Sequence, residues 1–313
     1  MNDRVYEIRN VSHRYKKGKA KANEDISFDI RSGEVLGVLG PNGAGKSTLI
    51  KQLVGHLKPT EGRVLYNGID VYKQTRTVAS EVAYYSQEPH VLSALKAIEA
   101  LAYTGQLRGM RRKDAEREAE SLLERFEMSD SRNKLLKQLS GGQKRMVGIG
   151  TALIGSSRVL ILDEPTNELD PKKRRLVWNL IQERQSEGAT VILVTHNVLE
   201  AESVVDRVAV VNHGKLLAID GVAKLKQRVD QRLKFEIQTG IGQREIAAAA
   251  MEDWGIVQQS GENRLCVLVD KPNASAVLER LIHSTHLPIE EYSVLPPSLE
   301  DVYFHIDREV AGA

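Results

Sequence analysis

A nine-residue stretch near the start of the chain has the residue types and spacing of a phosphate-binding loop, G-x-x-x-x-G-K-[ST]. Glycines let successive backbone N–H groups point at one anion, a lysine can reach the terminal phosphates of a nucleotide, and a hydroxyl can ligate Mg²⁺. The loop consists of Gly40, Pro41, Asn42, Gly43, Ala44, Gly45, Lys46, Ser47 and Thr48. The sequence therefore predicts a nucleotide phosphate site here, with Lys46 on the phosphates and Ser47 on the metal.

The segments on either side of this loop support the prediction. Apolar, β-prone residues from Glu34 to Leu39 precede it, and a helix is predicted from Thr48 to Leu57. A phosphate loop needs this strand–loop–helix context, because the positive end of the helix dipole adds to the attraction for the anion.

Polar residues follow three further strands. Gln87 comes after the predicted strand Val82–Ser86, Asp163 and Glu164 end an aliphatic run, and His196 follows another. Ligands of open α/β sheets bind beyond the carboxyl ends of the strands, so these side chains should meet beside the loop. We expect Asp163 to orient Mg²⁺ and Glu164 to act as the general base for an attacking water. Gln87 should contact that water or the metal, and His196 should form a hydrogen bond with the terminal phosphate.

A second anion site is predicted at Ser140, Gly141 and Gly142, where a serine can cap a helix and two glycines permit close backbone approach. One nucleotide already has its phosphate loop within this chain. A second site therefore implies a second chain whose nucleotide it completes.

The elements predicted to position these residues are a β-rich start, a helical insertion and a sheet. The start contains predicted strands at Val5–Val11 and Ile26–Ile30, and helical periodicity runs from about Leu92 to Met128. A later helix begins with Asp170 as N-cap and Pro171 at its first position. Apolar strands that alternate with helices indicate a mixed, largely parallel sheet covered on both faces.

The pattern changes near residue 222. We predict an α/β domain at 1–221, with a helical subdomain at about 88–155, and a small α/β domain at 222–313. In the small domain we expect a charged helix at 222–231. Three strands and two helices should follow it, at Leu233–Ile237, Ile246–Trp254, Leu265–Val269, Ala274–Ser284 and Ile289–Leu295.

Composition excludes several classes of function. The formal net charge of +2 gives no electrostatic case for nucleic acid, and the single cysteine, Cys266, excludes both a disulfide framework and a cysteine-based zinc site. No apolar run is long enough to cross a bilayer. Any membrane role must therefore come through another chain.

Together these motifs resemble the nucleotide-binding subunit of ATP-binding cassette (ABC) transporters over about residues 4–221. The family signature Leu-Ser-Gly-Gly-Gln is present unaltered at Leu139–Gln143. The resemblance implies a P-loop NTPase fold and two cassettes that sandwich two ATPs. Each nucleotide would lie between the phosphate loop of one chain and Ser140, Gly141, Gly142 and Gln143 of the other.

The resemblance also implies roles for residues outside the loop. Tyr15 falls where the family stacks an aromatic ring on adenine, and Asn167–Asp170 resembles the family's inter-subunit loop, with Asp170 near the second nucleotide. Glu168 stands where glycine is common, so the path of this loop is an open question. The segment after Gln87, about 88–108, would receive a membrane permease.

The motif Pro297–Tyr303 resembles a tail motif of cassettes that serve two-component exporters of drugs and antibiotics. We therefore expect an ATPase motor at the cytoplasmic face of the cell membrane, held by a separate permease and paired with an identical or paralogous cassette. Two alternatives stay open: a non-transport cassette of the DNA-repair or ribosome-associated type, and an importer with a regulatory tail.

Overall fold

The computed structural model describes residues 3–15, 21–86, 93–284 and 286–311. The chain folds as two compact units, Met1–Val222 and Ala223–Ala313. Each unit has its own sheets and its own apolar core, two sheets in the first unit and one in the second, so they are described in turn.

The described part of the first unit contains ten strands in two sheets. They are β1 (Arg4–His13), β2 (Asn23–Arg31), β3 (Val35–Leu39), β4 (Glu61–Tyr66), β5 (Ile69–Asp70), β6 (Val82–Tyr85), β7 (Val159–Asp163), β8 (Thr190–Thr195), β9 (Arg207–Asn212) and β10 (Lys215–Gly221). One sheet is antiparallel, in the order β2-β1-β4-β5, and the other has the order β10-β9-β3-β8-β7-β6. In this larger sheet β10 is antiparallel to its neighbour and the other pairs are parallel, which confirms the predicted mixed, largely parallel sheet.

The strands that carry the polar residues are among the most deeply buried ones. Every residue of β3, β7 and β8 is buried, as expected for parallel strands covered on both faces. Apolar side chains of β1, β2 and β4 form one core with those of β3, β7 and β8. The carboxyl ends of β3, β7 and β8 therefore lie side by side at one edge of a rigid sheet, because these strands are parallel neighbours.

Seven α-helices lie in the described residues of the first unit. They are α1 (Lys46–Leu53), α2 (Thr75–Glu81), α3 (Ala97–Leu107), α4 (Arg112–Arg125), α5 (Gly141–Leu153), α6 (Pro171–Ser186) and α7 (Val198–Glu202). The predicted helical insertion contains α3 and α4, which are separated at Gly109, where φ is +89°. Helix α4 agrees with the helical periodicity predicted for this segment, and its buried face consists of Ala115, Ala119, Leu122 and Leu123.

One prediction in this unit was wrong in detail, and one helix was missed. The helix after the phosphate loop was expected at Thr48–Leu57, but α1 begins at Lys46 and ends at Leu53. It ends early because Gly55 adopts φ +77°, and the N–H groups of His56 and Leu57 both turn back to the carbonyl of Lys51. Helix α2 was not predicted at all. Its one buried residue, Val78, leaves little apolar periodicity to detect.

The second unit contains a four-stranded antiparallel sheet, with α-helices between and after its strands. Its described elements are α8 (Val222–Lys226, which crosses the boundary between the units), β11 (Leu233–Thr239), α9 (Arg244–Ala250), β12 (Ile256–Gln259), β13 (Arg264–Val269), α10 (Ala274–His283), β14 (Ile289–Leu295) and α11 (Leu299–Ala311). The sheet order β12-β13-β11-β14 and the chain order βαββαβ make it a ferredoxin-like unit. This confirms the predicted small α/β fold.

The details of this unit were predicted less well. The charged helix expected at 222–231 ends at Lys226, and strand β12 was missed. None of the four residues of β12 is buried, so the apolar alternation that reveals a half-buried strand is weak there. The motif Pro297–Tyr303 contains the start of α11, where the Ser298 N–H donates to Asp301 and Asp301 pairs with Lys234 of β11.

Candidate nucleotide site

The phosphate loop joins the end of β3 to the start of α1, as predicted. Two of its glycines are required by close packing. A Cβ on Gly40 would lie 2.0 Å from the Val211 carbonyl oxygen, and one on Gly45 would lie 2.2 Å from the Ala22 carbonyl oxygen. Gly45 is also in the left-handed region, with φ +101°. No other residue type could follow the same backbone path at these two positions.

Lys46 is folded back over this loop. Its Nζ donates hydrogen bonds to the carbonyl oxygens of Gly40, at 2.7 Å, and Pro41, at 3.0 Å. The side chain is buried, and this burial lowers the pKa of the amine, against the opposing effect of Glu164 and Asp163. Lys46 also lines a cavity of about 340 Å³, together with Ala22, Asn42, Gly43, Ala44, Gly45, Ser47, Thr48, Asp163 and Glu164.

Asp163 is buried at the end of β7, beside the loop. The Ser47 hydroxyl interacts with its carboxylate and lowers its pKa. Burial raises the pKa of Asp163 from 3.8 to about 6, the neighbouring Glu164 adds to the rise, and Lys46 and Ser47 oppose it. The structure thus brings one hydroxyl and one carboxylate oxygen together next to the phosphate loop.

Glu164 has a different set of partners from Asp163. Its Oε1 accepts from the backbone N–H of His196, at 3.0 Å, and lies 2.7 Å from His196 Nδ1. Its Oε2 accepts from the Thr195 hydroxyl at 3.0 Å. The backbone of Glu164 is in the left-handed region, with φ +51°. Glu164 and His196 follow neighbouring parallel strands, so the structure brings these two predicted residues into direct contact.

Tyr15 stands near the start of α1. Its hydroxyl lies 3.2 Å from Thr48 Oγ1, and its ring packs edge-on against His13 with 4.7 Å between the ring centroids. The side chain is 45% exposed. An aromatic ring this exposed, in contact with a residue of the phosphate loop, is accessible to a ligand bound at that loop.

The signature segment begins α5 and does not line the cavity described above. Ser140 is the N-cap and accepts from the Gln143 N–H, while the Gln143 side chain accepts from the Ser140 N–H. Among the residues that the structure describes, a Cβ on Gly141 would meet nothing within 4 Å, and one on Gly142 would only reach Leu169 and Lys173 at 4.0 Å. Packing within this part of the chain does not require glycine at these positions.

The predicted start of α6 is confirmed. Asp170 is the N-cap, its Oδ1 accepts from the Lys173 N–H at 3.0 Å, and Pro171 is the first helical residue. Glu168, two residues earlier, has φ +59°. This left-handed conformation explains why the family commonly places glycine there. Gln87, the remaining predicted site residue, lies outside the described residues.

Comparison with known proteins decides the family. The family model for the ABC transporter matches residues 23–167. Daunorubicin resistance ATP-binding protein DrrA3 of Streptomyces coeruleorubidus is 31% identical over 322 residues, which span 100% of both chains. The chain belongs to the ABC transporter family. It is also 31% identical over 286 residues to the daunorubicin/doxorubicin resistance ATP-binding protein DrrA of Streptomyces peucetius, which covers 90% of this chain and 87% of that protein.

Solved ABC cassettes share the fold of the first unit. One ATP-binding subunit of an ABC transporter aligns with a TM-score of 0.67 and 27% identity over 72% of this chain and 92% of that one. Another cassette, solved as a dimer in a post-hydrolysis state with ADP and Pi, aligns with a TM-score of 0.64 and 26% identity over 69% of this chain and 98% of that one. The protein is thus an ABC ATPase that binds a nucleotide. None of the helices in the described part of this chain is long and apolar enough to span a bilayer.

Sequence reasoning missed three residues that shape the site of this ABC ATPase. Thr195 bonds Glu164, Asn23 donates from Nδ2 to the Gly45 carbonyl at 3.1 Å, and Arg145 contacts Glu164 and Glu168. The position of Thr195 directly before His196 was a usable signal. Asn23 and Arg145 are distant in sequence from the residues they contact, so only the folded chain reveals them.

Proposed function

We propose that this chain is the Mg²⁺-dependent ATPase motor of an exporter, bound peripherally to a separate membrane permease at the cytoplasmic face of the cell membrane. One observation carries the proposal: a buried lysine, a buried aspartate, a serine hydroxyl beside it and a buried glutamate meet around one phosphate loop. The relatives reported above are named as drug-resistance proteins, which favours export over the repair, ribosomal and import alternatives.

The metal site proposed is Ser47 with Asp163. A hydroxyl and a carboxylate are the oxygen ligands that Mg²⁺ takes in proteins, and here they already converge. The residues present therefore fit the ion, and Gln87 is the further predicted contact. The bound Mg²⁺ would neutralise phosphate charge, and Lys46 would hold the terminal phosphates by exchanging its two carbonyl bonds for phosphate oxygens.

Glu164 is the proposed general base, and its contacts suggest which oxygen accepts the proton. A carboxylate has about four acceptor positions, two on each oxygen. Oε1 has two partners from His196, whereas Oε2 has only the Thr195 hydroxyl among the described residues. Oε2 thus retains an acceptor position for an attacking water. His196 orients Glu164 through Oε1 and is the proposed contact for the terminal phosphate.

The open glycines of the signature segment support a second cassette as a partner. Glycines that this chain's packing does not require, as far as the described residues go, leave room for a ligand held by another chain. We propose that Ser140, Gly141, Gly142 and Gln143 complete the nucleotide site of the second chain, with Asp170 nearby and Tyr15 stacked on adenine in its own chain. A dimeric cassette among the structural relatives is consistent with this arrangement.

A cavity of about 450 Å³ in the first unit supports the permease as a partner. Its lining residues are Lys51, His56, Tyr84, Tyr85, Ser86, Ala100, Thr104, Arg108, Leu136, Lys144, Val147, Gly148 and Thr151. Several come from α3 and α5 and from the end of β6, next to the segment predicted to dock the permease. The lining includes lysine and arginine and no carboxylate among the described residues, so we propose an acidic permease segment as the occupant.

The test is affinity purification of tagged Glu164→Gln chain in mild detergent with ATP, followed by mass spectrometry. We expect a stoichiometric integral membrane protein, because ATP without hydrolysis should hold the complex closed. The matched control, Lys46→Ala, should not show the ATP dependence. Recovery of ribosomes, of DNA-repair proteins or of this chain alone would contradict the exporter assignment.

A further inference from the structure

Glu168 occupies a backbone position that suits glycine. Its φ of +59° is a conformation that side chains with a Cβ rarely adopt. Its neighbours Asn167 and Leu169 form the turn that leads into α6, where the Leu169 N–H donates to the Thr166 carbonyl. Because glycine would fit this turn with less strain, the contacts of the glutamate side chain are the feature to explain.

The partner of Glu168 is Arg145 of α5. Arg145 Nη2 lies 3.0 Å from Glu168 Oε2, and its Nη1 donates to the Glu164 carbonyl oxygen at 3.4 Å. The Arg145 side chain is only 11% exposed, whereas that of Glu168 is 78% exposed. The guanidinium is therefore largely removed from water, and Glu168 supplies the charge that offsets this desolvation.

Arg145 also interacts with Tyr85, on the strand that precedes Gln87. Tyr85, at the end of β6, is buried, and burial raises the pKa of its hydroxyl. The positive charge of Arg145 opposes that rise. Arg145 thus lies among three segments, the ends of β6 and β7 and the turn before α6, while its own helix begins with the signature segment.

We propose that Arg145 is a positioning residue that ties the signature helix α5 to the backbone of Glu164, and that Glu168 holds its guanidinium in place. The inference rests on the proposed function, because it assigns the pair a role in hydrolysis at a site shared by two chains. When a second chain engages Ser140 at the start of α5, Arg145 transmits the displacement to Glu164 of the same chain. Each nucleotide site is thereby linked to the other.

The linkage predicts a specific kinetic signature. Arg145→Met and Glu168→Gln should each lower kcat for ATP about tenfold and reduce the Hill coefficient towards one. The dissociation constant for ADP, measured by calorimetry, should stay within twofold, because neither residue lines the phosphate-loop cavity. The double variant should be no slower than the slower single variant, since both changes break one interaction.

The matched control is another arginine–glutamate pair, Arg112 and Glu116 of α4, whose Nε and Oε1 atoms are 2.8 Å apart. Arg112→Met with Glu116→Gln should leave kcat and the Hill coefficient unchanged. Glu168→Gly separates the effect of the backbone conformation at this position from the effect of the carboxylate. It relieves the left-handed conformation, so its Tm should not fall, yet kcat should fall as in Glu168→Gln.

Three results would overturn the inference. In the first, kcat is unchanged in both Glu168→Gly and Glu168→Gln. In the second, the kcat losses of the two single variants multiply in the double variant. In the third, the kcat losses accompany a fall in Tm. In each case a wild-type chain that hydrolyses ATP leaves the proposed function intact. If the wild type itself fails to hydrolyse ATP, the proposed function fails. A double-mutant cycle on the Tm of the nucleotide-free protein then tests whether Arg145 and Glu168 interact. Additive Tm shifts would show that they do not.

Discussion

Asp163 and Glu164 are adjacent and both buried, yet the fold gives them different environments. Glu164 accepts from three donors of Thr195 and His196, whereas Asp163 has the Ser47 hydroxyl and a pKa raised to about 6. Above that pH Asp163 is ionised in both the folded and the unfolded chain, and its charge is less stable in the folded chain. The nucleotide-free protein should therefore be less stable than its packing alone would allow, and an ion bound at this carboxylate would remove the cost.

Replacement of this one carboxylate should separate stability from activity. The folded-state pKa is above the unfolded value, so the destabilisation by ionised Asp163 develops as pH rises from about 4 to 6 and is complete above that. Asp163→Asn should therefore raise the Tm of nucleotide-free protein at pH 8, by about 2–4 °C per kcal/mol regained, and less at pH 5. It should also abolish ATP hydrolysis. Thermal unfolding and a phosphate-release assay measure the two effects.

The control for this prediction is Asp170→Asn. The pKa of Asp170 is lowered, first by its side-chain bond with Lys173, so its ionised form stabilises the fold. Its neutral variant should not gain stability at pH 8. A fall in Tm for Asp163→Asn at pH 8 would show that the Asp163 carboxylate is satisfied in the nucleotide-free chain and would contradict the argument.

At the scale of elements, α5 presents its N-terminus without cover from the described part of its own chain. The Ser140–Gln143 capping box satisfies the first turn, and the open space at Gly141 leaves that turn accessible. The isolated chain thus has a complete phosphate loop, and the helix end proposed to bind an anion does not line the same cavity. A site built from both requires two chains.

Ser140→Arg tests this arrangement. It should leave nucleotide affinity of the phosphate loop unchanged and stop hydrolysis, because the bulk falls in the partner's site. Loss of the capping oxygen costs about 1 kcal/mol, and Ser140→Ala controls for that cost. An equal mixture of Ser140→Arg with Lys46→Ala, each inactive alone, should recover roughly a quarter of wild-type turnover. About half of the dimers are then mixed, and each mixed dimer has one intact site of its two. An inactive mixture would argue against a site shared between chains.

Helices and strands were predicted correctly where the element buries one face or is buried on all sides. The fully buried strands β3, β7 and β8 were found from their apolar runs, and α4 was found from its helical periodicity. Helix α2 and strand β12 were missed, because neither has more than one buried residue to create a pattern. The end of α1 was misplaced because Gly55 stops the helix in the left-handed region, and the predicted end at Leu57 overlooks this glycine as a C-terminal signal.

At the scale of the whole molecule, the structure describes a single chain with a catalytic glutamate candidate in place and an accessible signature helix. Glu164→Gln should therefore trap the assembled state. Light scattering should show a monomer without nucleotide, a doubled mass with ATP, and a monomer with ADP, while ATP turnover is nearly abolished. The amide keeps acceptor capacity for Thr195 but is far too weak a base. Ready turnover by this variant would rule out Glu164 as the base, and Lys46→Ala controls for the requirement for bound ATP.

The sequence alone determined the family, the phosphate loop and the order of the strand-end residues, because those depend on local residue spacing and on apolar runs. The contacts between them were decided by the tertiary structure. Parallel β7 and β8 place Glu164 against Thr195 and His196, 31 and 32 residues away, and α5 places Arg145 on Glu168. Such contacts depend on sheet register and helix packing, which no local pattern encodes, so the positioning residues became visible only in the folded chain.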